Sequence, residues 1–222
     1  MNSSGCHSSV TPCALWRHER LDYQTAWDRQ RQRVEAIVAG GAPGVFWLLE
    51  HDPVYTVGRS GQRGEILDAS IPVVETDRGG RVTWHGPGQT VGYVIRDLRP
   101  DIHAVRAHVD KLEETVIRTL AGWGVVAERE AKNPGVWVGG EKIAALGVRI
   151  RHGVAYHGFA INRAPDLRAY GGIVPCGLSG RGVTSLAKLG IEVTRVALET
   201  RLLGVFQEVF QVEWVDEPWQ EN

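Results

Sequence analysis

The sequence predicts an α+β fold built on a largely antiparallel sheet. Short runs of strand-forming residues cluster in the middle of the chain, and helix-like segments are inserted among them or appended at the ends. Neither a G-x-G-x-x-G nor a Walker sequence is present, which argues against a doubly wound nucleotide-binding fold. With 222 residues, of which 43% are hydrophobic, the chain can bury a core of its own.

Three helices are predicted by apolar side chains that recur every three or four residues. The first covers residues 22–39 and is stopped by two glycines, and the second covers residues 102–120 and ends at Gly122. Thr194 can cap a third helix, and a short helix is expected around Ser185. Helices near both ends and in the middle of the chain therefore frame the predicted strands.

Short apolar or alternating runs predict the strands, which are expected to be mostly antiparallel neighbours. They cover residues 45–50, 73–75, 81–84, 90–95, 125–128, 136–138, 142–151 and 155–161. The Gly-Pro-Gly sequence at 86–88 predicts a hairpin-like connection between two of them, and residues 51–65 are expected to form an irregular loop.

Net charge and the length of apolar runs limit the kinds of partner that the chain is expected to bind. The formal net charge is -1, so non-specific binding to nucleic acid is not expected. No apolar run approaches the roughly 20 residues that span a bilayer, and the N-terminus lacks the features of a signal peptide. We therefore expect a cytoplasmic protein that binds neither nucleic acid nor membrane.

The first residues of the chain are rich in serine. Residues 1–14 are expected to form a disordered leader, and residues 15–222 a single domain. The three cysteines make no paired framework, because two lie in this leader and Cys176 is left over, which suits a reducing compartment. Cys6, His7 and Cys13 match no zinc spacing, so no metal site is expected there.

Residues 78–89, RGGRVTWHGPGQ, place glycines on both sides of a predicted strand. Loop turns alone would explain glycines at these positions, but glycines also allow the backbone to approach another group closely. Arg78, Thr83 and His85 stand beside them, and exposed amides with polar side chains suit an acyl or carboxylate-like ligand. A phosphate loop is the weaker alternative, because no helix follows to offer its N-terminus.

The sequence IVPCG at 173–177 sets Cys176 between a proline and a glycine, where the chain changes direction. A free cysteine is commonly a small buried residue, so the residue alone favours a packing role. A nucleophilic role needs a neighbouring cation, because a thiol with a pKa of about 8.5 is mostly protonated near pH 7. The candidates are His85, His157 and Lys142. Lys142 begins an apolar strand, where its amine points either to solvent or inward to an anion.

Four segments, in this order, closely resemble the octanoyltransferases of lipoate biosynthesis, also called lipoyl(octanoyl) transferases. They are RGGRVTWHGPGQ at 78–89, GVWVGGEKIAALGVRI at 135–150, HGFAIN at 157–162 and IVPCGLSGRGVTSL at 173–186. The resemblance runs from about Tyr23 to Leu189 and includes LLEHDPVYTVGR at 48–59, whereas the N-terminal leader matches none of these motifs.

The resemblance implies the catalytic-domain fold of biotin and lipoate protein ligases, a mixed sheet flanked by helices, in residues 15–222. It implies an acyltransferase that needs no metal, ATP or other cofactor. The reaction moves an octanoyl group from octanoyl-acyl carrier protein to a lysine of a lipoyl domain. That domain belongs to the E2 subunit of a 2-oxoacid dehydrogenase or is the glycine cleavage H protein. We expect the chain to act as a monomer.

The resemblance also implies roles for particular residues. The family's acyl-thioester cysteine falls on Cys176, and the lysine that lowers the pKa of this cysteine falls on Lys142. The substrate-binding segments fall on Arg78, Gly79, Gly80, Arg81, Val82, Thr83, Trp84, His85, Ala145, Leu146, Gly147, Gly158, Phe159 and Ala160. An apolar channel for the acyl chain is expected beside Trp84, Tyr93 and Phe159, although core packing explains these aromatic residues equally well.

Three other functions are compatible with parts of the sequence. An ATP-dependent lipoate or biotin ligase shares the fold and the acceptor, but activates a free acid as an acyl-adenylate and needs no nucleophilic cysteine. A non-catalytic module that binds an acyl group or a carrier protein would use Cys176 in packing. A papain-like thiol hydrolase is disfavoured, because no histidine follows Cys176 in the chain.

Overall fold

The computed structural model describes residues 10–68, 70–99, 104–130, 133–174 and 181–217. These ranges contain three α-helices, which are α1 (Tyr23–Val38), α2 (Ala104–Ala121) and α3 (Arg195–Phe210). The strands are β1 (Thr11–Leu21), β2 (Gly44–His51), β3 (Val54–Val57), β4 (Val73–Glu75), β5 (Val82–His85), β6 (Gln89–Asp97), β7 (Glu128–Arg129), β8 (Gly135–Val138), β9 (Glu141–Arg151), β10 (Val154–Asn162) and β11 (Val212–Val215). Short 3₁₀ turns occupy Arg63–Glu65 and Leu167–Gly172.

Eight of the strands form one mixed sheet with the order β11-β1-β2-β6-β10-β9-β8-β7. The pairs of β1 with β11 and with β2 are parallel, and the other neighbouring pairs are antiparallel. A separate three-stranded sheet has the order β4-β3-β5. The predicted α+β fold with a largely antiparallel sheet is therefore confirmed.

Helices cover both faces of the large sheet. On one face, Leu112 of α2 and Phe206 of α3 belong to a core cluster with residues of β2, where the Phe46 and Phe206 rings stack with centroids 4.0 Å apart. On the other face, Val34 of α1 belongs to a second core cluster that includes Trp47 of the same strand. Successive side chains of a strand point to opposite faces, so β2 contributes to both cores. Full burial of each such side chain stabilises the fold by roughly 1.5–3 kcal/mol.

The helices begin where the sequence predicts. The Asp22 carboxylate accepts a hydrogen bond from the backbone N–H of Thr25 at 2.9 Å and caps α1. The hydroxyl oxygen of Thr194 accepts one from the N–H of Ala197 at 3.1 Å and caps α3. Such caps satisfy backbone donors that have no partner within the helix. Because few residue types can do this, the start of a helix can be predicted from the sequence.

The prediction of a disordered leader is wrong for residues 11–14. They begin β1, which lies inside the large sheet between β11 and β2, and Cys13 is only 5% exposed. Much of β1 mixes buried and exposed residues without regular alternation, and its partner β11 comes from the other end of the chain. Local sequence therefore carries little signal for this strand. Residues 1–9, including Cys6 and His7, lie outside the described residues.

Local predictions between the larger elements were less accurate. Residues 51–65 contain β3 as well as loop, and the expected hairpin is wrong because β5 pairs with β3 whereas β6 belongs to the large sheet. Residues 186–190 form a turn rather than the short helix expected around Ser185. The strand expected at 125–128 is reduced to the two-residue β7. For β5, a pairing partner distant in sequence decided the outcome.

Buried His108 on α2 predicts acid sensitivity. It is 1% exposed, and within the described residues neither ring nitrogen has a hydrogen-bond partner. Burial, reinforced by Arg96 and Lys111, lowers its pKa to about 3. Between its unfolded pKa of about 6.5 and that value, the unfolded chain binds a proton that the folded chain excludes, so stability falls as the pH falls through this window.

We therefore expect His108→Leu to flatten part of the pH dependence of stability. Between about pH 7 and about pH 4.5, the wild-type chain should lose roughly 2–3 kcal/mol more unfolding free energy than the variant. Urea titrations of both proteins at each pH measure this difference. Parallel loss of stability in the two proteins would contradict the assignment to His108.

Candidate active site

An open cavity of about 410 Å³ lies between residues 78–85 and strands β9 and β10. Its lining is mostly apolar, and volumes of this size are typical of small-molecule sites. It brings together most of the residues that the sequence resemblance assigned to substrate binding, together with the assigned catalytic lysine, Lys142. These are Arg78, Gly79, Gly80, Arg81, Thr83, His85, Lys142, Ala145, Leu146, Gly147, Gly158, Phe159 and Ala160.

Val82 and Trp84 turn away from this cavity, to the other side of β5. They pack with Tyr55 and Tyr170 in the small core beneath the three-stranded sheet, where the Trp84 and Tyr170 rings lie 5.7 Å apart. Alternation along a strand explains this, since Thr83 and His85 occupy the opposite face. Of the three aromatic residues expected along an acyl channel, Tyr93 and Phe159 line the cavity and Trp84 does not.

Glycines bring the cavity wall together by close approach of backbone to backbone. A Cβ on Gly147 would lie 2.9 Å from the carbonyl oxygen of Gly79, and one on Gly158 would lie 2.1 Å from that of Gly92. The sequence predicted a close approach at Gly79, and the Gly79 N–H donates to the Val148 carbonyl at 3.1 Å. What these glycines approach is therefore the neighbouring strands of the protein itself.

The Arg78 side chain is 7% exposed and is held by the protein. Its Nε donates to the Thr56 hydroxyl at 3.1 Å, its Nη2 to the Thr56 carbonyl at 2.7 Å, and its Nη1 to the Gly79 carbonyl at 3.0 Å. These bonds tie the loop after β4 to β3, so Arg78 both shapes the cavity wall and brings a positive charge to it.

His85 is fixed as one neutral tautomer by a chain of hydrogen bonds. The Gln89 Nε2 donates to Asn162 Oδ1 at 2.9 Å, which leaves Gln89 Oε1 to accept from His85 Nδ1 at 2.7 Å. The His85 proton is therefore on Nδ1, and Nε2 is an acceptor. Burial, reinforced by competition with His51 for a proton and by the positive charge of Arg78, holds the pKa of His85 well below 6.5.

The other buried histidines near the cavity are also neutral near pH 7. Burial lowers the pKa of His51 to about 4, and its ring bonds the Leu21 carbonyl and the Tyr93 hydroxyl, both at 2.7 Å. Burial also lowers the pKa of His157, which contacts Asp77 at 2.9 Å through Nε2. Of the three residues that the sequence offered as the cation next to a thiolate, His85 and His157 are thus disfavoured.

Lys142 lies at the start of β9 and lines the cavity. Its Nζ donates to the Pro134 carbonyl at 3.2 Å and lies 4.7 Å from the centre of the Trp137 ring. Both contacts favour the ammonium form, because a carbonyl oxygen and the face of an aromatic ring attract a cation. The side chain is half-buried, between the solvent-facing and inward-facing alternatives.

Cys176 lies outside the described residues, together with Pro175–Gly180. The chain on either side of this segment is anchored. The Val174 N–H donates to the Glu65 carbonyl at 2.7 Å, and the Gly182 carbonyl accepts from the Lys142 N–H at 3.1 Å. Val183 forms a bridge with Lys142, so the described chain after this segment lies beside the lysine's own strand.

Several cavity residues were missed by sequence reasoning. They are Tyr23, Val91, Val105, Val109, Asn133, Pro134, Val148 and Ile150. Helical periodicity identified Val105 and Val109 as apolar positions of α2, but periodicity does not distinguish a core from a cavity. Within the described ranges, no three His, Cys, Asp or Glu side chains come together as a metal site. In the same ranges, no helix is long and apolar enough to cross a membrane.

Comparison with known sequences identifies the family. Residues 22–207 match the model of the lipoyl protein ligase A/B catalytic domain. The octanoyltransferase of Magnetococcus marinus is 52% identical over 188 residues, covering 85% of this chain and 89% of the relative. The octanoyltransferase of Novosphingobium aromaticivorans is 52% identical over 190 residues, covering 83% and 86%.

Comparison with solved structures supports the fold. A bipartite lipoate protein ligase of Thermoplasma acidophilum superimposes with a TM-score of 0.75 at 17% identity, covering 96% of this chain and 89% of that one. Lipoate-protein ligase A bound with ATP also gives 0.75 at 17% identity, covering 96% and 90%. At such identity the structures show a shared fold, whereas the sequence relatives show the closer kinship. The chain therefore belongs to the lipoyl protein ligase A/B catalytic-domain family and, within it, to the octanoyltransferases, which are acyltransferases of protein lipoylation.

Proposed function

We propose that the chain transfers an octanoyl group from octanoyl-acyl carrier protein to a specific lysine of lipoyl domains. The acceptors are the E2 subunits of 2-oxoacid dehydrogenases and the glycine cleavage H protein, and the acyl group passes through a thioester on Cys176. One observation carries the proposal: the amine of Lys142 lies at the wall of a mostly apolar cavity of about 410 Å³. Such a cavity suits an acyl chain, because each buried methylene contributes about 0.8 kcal/mol.

In the first half-reaction, the Cys176 thiolate attacks the carbonyl carbon of the octanoyl thioester. The Lys142 ammonium stabilises the thiolate before attack, because an adjacent cation lowers the pKa of a thiol. The tetrahedral intermediate collapses, the bond to the carrier's sulfur breaks, and the carrier leaves as its thiol after taking up a proton. The product is an octanoyl-enzyme with the acyl group on Cys176.

In the second half-reaction, the acceptor lysine attacks the new thioester as a neutral amine. Its nitrogen forms the amide bond, the Cys176 thiolate departs, and a base removes the surplus proton. Either His85 takes this proton on Nε2, or Lys142 takes it after its ammonium has given a proton to the carrier's thiolate in the first half-reaction. The unprotonated Nε2 of His85, maintained by the hydrogen bond between Nδ1 and Gln89, supports a role for the histidine.

The direct test combines the chain with octanoyl-acyl carrier protein and an apo lipoyl domain in the absence of ATP. Mass spectrometry should detect an octanoyl group on the lipoyl domain. A parallel reaction with free octanoate and ATP tests the ligase function, to which the fold is also suited. Octanoylation only in the ATP reaction, or binding without transfer, would overturn the proposal.

A further inference from the structure

One peptide unit beside Lys142 joins it to a buried carboxylate on α2. The carbonyl of Pro134 accepts a hydrogen bond from Lys142 Nζ at 3.2 Å. The N–H of the same peptide, contributed by Gly135, donates to Glu113 Oε1 at 3.1 Å. The C=O and N–H of a trans peptide point in opposite directions, so the ammonium and the carboxylate lie on opposite sides of one rigid plane.

Glu113 is well placed to hold this peptide. It is 4% exposed, and its second carboxylate oxygen lies 3.4 Å from Arg129 Nε. A buried carboxylate needs such partners, and its hydrogen bond to a backbone N–H is stronger than one between neutral groups. Hydrogen bonds in series polarise one another, so the carboxylate makes the Pro134 carbonyl a better acceptor for the lysine ammonium.

Gly135 packs tightly against the end of the lysine side chain. Its φ of +147° favours glycine, and a Cβ there would lie 3.0 Å from Lys142 Cε and 3.3 Å from Nζ. The same Cβ would lie 2.9 Å from the carbonyl oxygen of Ala144. Movement of the backbone at Gly135 would therefore displace the Lys142 amine from its position at the cavity wall.

The other charged groups around Lys142 have ion-pair partners of their own. Glu130 is half-buried and forms an ion pair with Arg181 at 2.5 Å, although Lys142 also helps to lower the pKa of its carboxyl. The Arg181 guanidinium lies 5.3 Å from the centre of the Trp137 ring. Glu141 forms an ion pair with Lys188 at 2.8 Å. Among the described residues, Glu113 is the carboxylate whose hydrogen bond reaches the peptide that contacts the lysine amine.

We propose that Glu113 is a positioning residue for Lys142, acting through the peptide between Pro134 and Gly135. By holding the N–H of this peptide, Glu113 keeps the carbonyl on its other side where it fixes the lysine amine at the cavity wall. The inference rests on the proposed function, in which that amine stabilises the nucleophilic thiolate. Glu113 touches neither the acyl group nor the thiol in this arrangement, so its effect is exerted through Lys142.

The test compares Glu113→Leu and Glu113→Gln with Glu114→Leu in the full chain. Glu114 is a matched control, because it neighbours Glu113 on α2 and also binds Arg129, but its carboxylate pairs with Arg118 rather than with Gly135. Two quantities are measured: the rate of octanoyl-enzyme formation, and the pH profile of iodoacetamide labelling at Cys176, read by mass spectrometry of the Cys176 peptide.

We expect Glu113→Leu to slow octanoyl-enzyme formation by about 10- to 100-fold, since a misplacement of about 1 Å can cost roughly 100-fold. Its labelling profile should move to higher pH, because a displaced amine stabilises the thiolate less. Glu113→Gln should remain close to wild type in both, since its amide oxygen still accepts from the Gly135 N–H. Glu114→Leu should match wild type.

A folded Glu113→Leu protein with the wild-type labelling profile would overturn the inference. So would a glutamine variant as impaired as the leucine variant, or an equal shift in Glu114→Leu. If the leucine variant does not fold, Glu113→Asp replaces it, because the shorter side chain retains the charge but withdraws from Gly135. A wild-type labelling profile in Glu113→Asp would also overturn the inference. Failure of the wild-type chain to form an octanoyl-enzyme would instead refute the proposed function.

Discussion

Replacing Cys176 by alanine is expected to abolish the octanoyl adduct on the enzyme and to reduce transfer to a lipoyl domain by about 1,000-fold or more. The acyl group has no attachment point without this sulfur, so both half-reactions fail. Intact-protein mass spectrometry after mixing with octanoyl-acyl carrier protein alone measures the adduct, and ping-pong kinetics are expected for the wild-type chain.

Cys13→Ala is the matched control for this experiment. Cys13 is buried in β1, and burial raises its pKa to about 12, so its thiol stays protonated and unreactive. The variant should retain both the adduct and the transfer rate. An undiminished adduct on Cys176→Ala, or loss of the adduct on Cys13→Ala, would rule out Cys176 as the acyl carrier.

Lys142→Ala is expected to shift the iodoacetamide labelling profile of Cys176 to higher pH and to lower the transfer rate by roughly 100-fold. Of the three candidate cations, Lys142 is the one that the structure favours, since burial lowers the pKa values of His85 and His157. Its loss removes the electrostatic stabilisation of the thiolate. Labelling rates measured across the pH range, with octanoyl-enzyme formation at fixed pH, report the two effects separately.

Lys188→Ala is the matched control for the lysine. Lys188 lies in the turn at 186–190 and pairs at 2.8 Å with Glu141, the residue next to Lys142 in the chain. Its removal changes the net charge by the same amount as removal of Lys142 does. An equal shift in the two variants would indicate a general electrostatic effect, and no shift in Lys142→Ala would show that another group activates the thiol.

The sequence predicted the helices and most inner strands accurately because their signals are local. Helical spacing and, for α3, the cap at Thr194 mark elements that bury one face. Alternating or apolar runs likewise mark β9 and β10. The glycine-rich motifs and their family resemblance also predicted most of the cavity lining, because glycines recur where backbones must lie in close contact.

Other features depend on contacts between distant parts of the chain, and only the tertiary structure decided them. β1 and β11 pair across nearly the whole sequence, and β5 leaves its sequence neighbour β6 to pair with β3. The same holds for the site. Sequence alone determined which residue types could activate a thiol, namely His85, His157 and Lys142. Folding then buried both histidines, which lowers their pKa values and leaves them neutral, whereas Lys142 was placed against a carbonyl and an aromatic ring that favour its charge.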